Sequence, residues 1–112
     1  SKNPEEAAKI LNFITNDVDC NNILLEGLSE GNFNEECLRL YTRIRQAMKM
    51  ETEKPIRLYS HGYSAVIRSA CRLKKVGFAS SVLREMHRLS ITPLEFAYFE
   101  LCEVGLTVVD HR

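Results

Sequence analysis

Three segments of this 112-residue chain carry one apolar template: a small residue followed by apolar side chains at offsets of three, four and seven. Ala7, Ile10, Leu11 and Ile14 form the first copy, Cys37, Leu40, Tyr41 and Ile44 the second, and Ala79, Val82, Leu83 and Met86 the third. Those offsets bring all four side chains onto one face of a 3.6-residue helix, and no stretch sustains the alternation of two that a strand needs. The small leading residue lets each helix approach a neighbour closely at its first turn, and the long closing residue fills space at its last. A template that recurs in this way is the signature of a helical-repeat array.

A second helix type alternates with the first and carries a paired apolar step at Leu24-Leu25, Val66-Ile67 and Leu101-Cys102. The spacing between units is uneven because the loops differ. The longest insertion runs from Glu51 to Tyr59, where Lys54-Pro55 excludes a continuous helix. Helix starts carry chemical marks. Asn3-Pro4-Glu5-Glu6 and Thr92-Pro93-Leu94-Glu95 each offer a capping side chain, proline at the first helical position and glutamate at the third. Asn32-Phe33-Asn34-Glu35 reads as a third capping box, and Ser60 is placed to cap the helix of Tyr63. These signals predict helices over 4–15, 20–30, 34–49, 61–74, 77–89 and 94–104.

Composition sets the class. With 45% hydrophobic and 27% charged residues the chain has the means to bury a core, which excludes a disordered segment, and its length suits one domain over 1–112. The formal charge is zero, but residues 1–53 hold six basic and ten acidic side chains and residues 54–112 hold nine and five, so a polyanion would prefer the second half. Cys20, Cys37, Cys71 and Cys102 form no C-x-x-C pair and have no histidine at ligand spacing, so no metal site is expected, and each is expected to be a small core hydrophobe. No apolar run reaches the roughly 20 residues of a membrane span. The opening Ser-Lys-Asn-Pro-Glu-Glu lacks the pattern of a signal or transit peptide. The expectation is a soluble chain with no membrane partner and no targeting segment.

From Tyr63 to Pro93 the residues fall into a tighter pattern. Tyr63, Val66-Ile67, Ala79, Met86, Ile91 and Pro93 stand in order, and Tyr98 restarts the series 35 residues after Tyr63. This stretch resembles a pentatricopeptide repeat, with Ser90 in place of that family's usual glycine. The tetratricopeptide repeat, with its period of 34, fits less well. Its proline would follow the alanine by twelve residues where Pro93 follows Ala79 by fourteen, and it prefers a small residue where Met86 stands. The resemblance divides the chain into a partial repeat (1–17), a degenerate repeat (18–59), a good repeat (60–94) and the start of another (95–112). It implies an all-α fold, a right-handed α-α superhelix of antiparallel helix pairs with about six helices.

It also implies a function. In that family each helix pair presents a base-reading face, and two or three side chains per repeat read one base of single-stranded RNA. By position the reading residues are Asn22, Ser64, Leu94 and Phe99. The residues three before the first-helix reading slot, which flank the bases, are Asp19, His61 and Phe96. Asn22 and Ser64 can hydrogen-bond a base edge, whereas Leu94 and Phe99 have no group to do so. Phe96 and His61 can stack on bases, although Phe96 equally suits a core position under the last helix. Asp19 would repel phosphate. Arg68, Arg72, Lys74 and Lys75 form a basic run that suits phosphate contacts or a solvated face. Glu30, Glu35 and Glu36 interrupt it in the preceding unit. The resemblance implies organellar RNA metabolism, in a mitochondrion or plastid. The alternative is a protein-interaction scaffold, for which Leu94 and Phe99 would form an apolar contact patch. Exposed terminal repeats would also permit self-association.

Catalysis finds no foothold in the sequence. His61, His87 and His111 stand without a nucleophile or paired carboxylates at recognisable spacing, and there is no glycine-rich phosphate loop. A binding module without cofactors, not an enzyme, is the expectation.

Overall fold

The structure, a computed structural model, describes residues 18–49 and 56–106. Five helices and no strand occur among them. They are α1 (Val18–Glu30), α2 (Asn34–Met48), α3 (Ser60–Arg72), α4 (Val76–Arg88) and α5 (Glu95–Glu103). All five lie within two residues of the expected boundaries. The sixth expected helix, over 4–15, falls outside the described residues, as do the capping box at Asn3 and most of the insertion around Pro55.

Helix α3 packs against each of the other four. It tolerates this because its buried positions include Gly62, Ser64, Ala65, Ser69 and Ala70, small residues that let neighbouring backbones come close. Helices α1 and α5 flank it to form one layer, termed inner, and α2 and α4 form the second, termed outer. The 20 Å least dimension of the molecule matches two helix layers. The template residues do what their spacing predicts: Cys37, Leu40, Tyr41 and Ile44 of α2 and Ala79, Val82 and Met86 of α4 are buried, with Leu83 packed beside them. Between the layers the Tyr41 ring meets Tyr63 edge-on at 6.1 Å and Phe78 at 5.9 Å.

Four helices end in the same way. The amide of Phe33 bonds the carbonyl of Leu28 at 2.8 Å, Lys75 bonds Ala70 at 2.9 Å, Ile91 bonds Met86 at 2.8 Å and Leu106 bonds Leu101 at 2.9 Å. The residue before each donor takes the left-handed conformation, with φ of 64° at Asn32, 59° at Lys74, 59° at Ser90 and 80° at Gly105. The expected capping box at Asn32 is therefore corrected. Asn32 closes α1 and does not open α2, whose N-cap is Phe33 with no side-chain cap bond. Thr92 and Ser60 are corrected as well. The N-caps of α5 and α3 are Leu94 and Tyr59, while the Ser60 hydroxyl donates to the Thr92 carbonyl.

The cysteines divide. Cys37 and Cys71 are buried, but Cys20 and Cys102 are exposed, against expectation. Each residue along a helix turns the side chain by about 100°. The Leu101-Cys102 step consequently sends Leu101 into the core and Cys102 out. Cys20 is the third residue of its helix, the slot that Gly62 and Ala97 fill in α3 and α5 beneath the preceding inner helix; no described helix covers it in α1.

Ser90 lacks the freedom of glycine at its positive φ, where a side chain costs about 1 kcal/mol. Ser90→Gly should raise stability by about that amount and increase Tm by a few degrees in a circular dichroism melt, whereas Ser90→Ala should not.

Burial pushes the Cys37 and Cys71 thiols up from 9.0 to about 11. An unfolded chain loses these protons above about pH 9 while the folded chain keeps them. Stability should thus be intact below about pH 9 and fall toward pH 11, by up to about 1 kcal/mol per pH unit for each thiol. Urea midpoints across that range should show a shallower fall in the Cys37→Ala/Cys71→Ala variant.

Candidate nucleic-acid interface

Twice, a side chain from one helix accepts from the opening amides of the next helix of the same layer. Asn22, in α1, accepts through Oδ1 from the Tyr59 amide at 2.9 Å and the Gly62 amide at 3.1 Å. These are the N-cap and third-position donors of α3, whose own N-cap side chain makes no cap bond. At the start of α5, Ser64 Oγ of α3 accepts from the Leu94 amide, the N-cap donor, at 2.9 Å. Asn22, Ser64 and Phe99 are each the fifth residue of their helix. The shorter serine reaches one donor, and the third residue of α5 is Ala97. The longer asparagine reaches two, and a Cβ at Gly62 would stand 2.3 Å from its Oδ1.

The four expected base-reading residues are thus placed differently from one another. Asn22 and Ser64 are buried at 6% and 0% exposure, and Leu94 is half-buried beside Ser64. Phe99 is 66% exposed. Of the expected flanking residues, Asp19 and His61 are exposed, while Phe96 is half-buried with the Arg68 guanidinium 4.5 Å from its ring centre.

The expected phosphate contacts do not align into one track. Arg68 Nε donates to the Ser29 hydroxyl at 2.8 Å, and Arg72 Nη1 donates to the Ser29 carbonyl at 2.7 Å and Asn32 Oδ1 at 3.0 Å. Both guanidiniums hold the C-terminal end of α1, where the helix dipole favours a cation. Burial, then the neighbouring charge of Arg72, lowers the Arg68 pKa from its usual value. Lys74 is the left-handed residue that ends α3, and Lys75 lies 3.6 Å from Glu35. The inner helices α1, α3 and α5 carry Asp19, Glu26, Glu30, Glu95, Glu100 and Glu103 against only Arg68 and Arg72. That layer is acidic.

The basic surface lies between α2 and α4. A groove of about 380 Å3 there is lined by Tyr41, Thr42, Arg45, Phe78, Arg84, Glu85 and Arg88, among others. A second, of about 450 Å3, shares Thr42 and Phe78 and adds Arg39, Arg43, Lys75 and Glu35. The two together present six basic side chains against two carboxylates. Glu85 is largely enclosed and receives Arg45 Nη1 and Arg88 Nη2, each at 2.6 Å. The hydrogen bond from Arg88 holds its carboxyl below the usual range. Arg39 and Arg84 make no ion pair or hydrogen bond among the described residues, and both line the grooves. The readable signal in the sequence was the four-residue spacing of Arg39 with Arg43 and of Arg84 with Arg88, which puts each pair on one helix face.

The chain matches no protein-family model and no curated protein. No group of three His, Cys, Asp or Glu side chains is placed to hold a metal among the described residues. No helix among them is long and apolar enough to cross a membrane.

The cap geometry predicts a rescue. Asn22→Ala strands the buried Gly62 donor and the part-buried Tyr59 donor and should cost about 2 kcal/mol in urea unfolding. Gly62→Ala alone should destabilise although alanine is the better helix former. In Asn22→Ser/Gly62→Ala, which copies the Ser64 and Ala97 pair, most of the loss should return, and a double-mutant cycle will show a coupling of at least about 1 kcal/mol.

Proposed function

We propose that the chain is a non-catalytic helical-repeat module that binds single-stranded RNA through the phosphate backbone, in the groove between α2 and α4. The observation that carries this reading is the clustering of Arg39, Arg43, Arg45, Lys75, Arg84 and Arg88 along two adjoining grooves, with Phe78 between them. Phosphate contacts supply sequence-independent affinity, and a half-buried aromatic ring in a basic groove provides a surface on which a base stacks, worth about 1–3 kcal/mol.

The resemblance to pentatricopeptide repeats supports RNA as the polyanion, an organellar setting, and a right-handed superhelix of helix pairs. The cap repeated from Asn22 to Ser64 supports the repeat architecture. Recognition in this reading is tolerant of sequence, because Asn22 and Ser64 are buried against the backbone and offer little to a base edge.

A fluorescent mixed-sequence RNA titrated at low salt should bind, and log K should fall against log salt with a slope of about −2 to −3, as three or four phosphate contacts require. Arg39→Glu/Arg84→Glu should weaken binding at least tenfold for every sequence, with an unaltered melting curve. Absence of binding at low salt, or full binding by that variant, refutes the reading.

A further inference from the structure

On the inner layer, away from the basic grooves, two large apolar side chains stand in solvent side by side. Ile23 of α1 is 62% exposed and Tyr59, at the start of α3, is 52% exposed. Both line an open groove of about 490 Å3 whose other walls are Asp19, Asn22, Glu26 and His61. The floor is rigid, since Asn22 is bonded to the amides of Tyr59 and Gly62. Asp19, Ile23 and Glu26 follow at offsets of four and three, so an apolar residue is bracketed by two carboxylates along one helix face. Helix α1 holds three acidic residues and no lysine or arginine.

This combination selects its occupant. The carboxylates repel the phosphates of nucleic acid and the headgroups of an anionic membrane, while the exposed Ile23 and Tyr59 ask for an apolar contact. Asp19 and Glu26 lie seven residues apart, about 10 Å along the helix axis. A second helix laid along α1 meets both carboxylates if it carries basic residues seven apart, and it covers Ile23 if leucines stand midway between them. We infer that the Ile23–Tyr59 groove docks a basic amphipathic helix of a partner protein, independently of RNA in the α2–α4 groove.

The probe is a fluorescent, alanine-based peptide of about sixteen residues with arginines seven apart and a leucine pair between them. It should bind the full chain saturably at low salt, and a twin with glutamates in place of the arginines should not. Asp19→Lys/Glu26→Lys should weaken binding at least tenfold and Ile23→Ser about tenfold, while melting curves confirm that these surface substitutions leave the fold intact. Two further measurements separate this site from the RNA groove. Arg39→Glu/Arg84→Glu should bind the peptide as the parent chain does, and Asp19→Lys/Glu26→Lys should bind RNA no more weakly than the parent. Failure of the peptide to saturate, equal binding of the glutamate twin, or equal binding by Asp19→Lys/Glu26→Lys overturns the inference, whatever the RNA result.

Discussion

Everything in this fold is arranged around a helix that water scarcely reaches. Nine of the thirteen residues of α3 are buried, so the free amides of its first turn must find acceptors inside the protein. The side chain of Tyr59 makes no cap bond, and that of Ser60 donates to Thr92. The acceptor comes from another helix, as the Asn22 side chain, and that single oxygen ties the start of α3 to the middle of α1. At the far end, Arg68 and Arg72 reach back to Ser29 and close the same pair of helices. With both ends fixed, the register of α1 against α3 is set by hydrogen bonds, and the apolar side chains between them fill what remains.

This explains the division of charge between the layers. The inner layer uses its two arginines to join α1 to α3 and sets them against six carboxylates within its helices, whereas the outer layer gathers arginines on both walls of one groove. A zero net charge hides the separation completely. Helical phase assigns each charge to a layer, and the layer then sets the chemistry of the surface. The described residues thereby present a basic face on one layer and an acidic face with exposed apolar side chains on the other.

The legible part of the sequence was whatever repeats along one helix. The series Cys37, Leu40, Tyr41 and Ile44 and its counterpart from Ala79 to Met86 located α2 and α4 and their buried faces, because core packing obeys the period of the helix. Caps were less legible. Asn32 followed by Glu35 carries the composition of a capping box, yet asparagine also tolerates the left-handed conformation that ends a helix, and the close succession of α1 and α2 let one signal stand for the other. The acceptor for α3 could not be seen locally at all, since it lies 37 residues away from Tyr59. Arg68 and Arg72 look like part of a basic run until the fold brings Ser29 and Phe96 beside them. The groove between α2 and α4 is similar in this respect, because its two walls come from segments that are far apart in sequence.

The fifth residue of each inner helix shows how a packing duty constrains a recognition surface. An oxygen there is turned inward by the amides of the next helix, and where it reaches the third residue's amide, as Asn22 does, that residue must be glycine; Ser64 reaches only the N-cap amide, and the third residue of α5 is alanine. A side chain held in this way has its acceptor occupied, so any reading of bases from the same position would compete with a bond on which the adjoining helix depends. Phe99 stands in the third such slot and has no oxygen to offer. A helix laid beside α5 in the same manner would meet an aromatic ring where α3 meets an amide and α5 a hydroxyl. That neighbour would need its own N-cap side chain, and the contact with α5 would rest on burial of the ring, which is less selective in register than a hydrogen bond to a named amide.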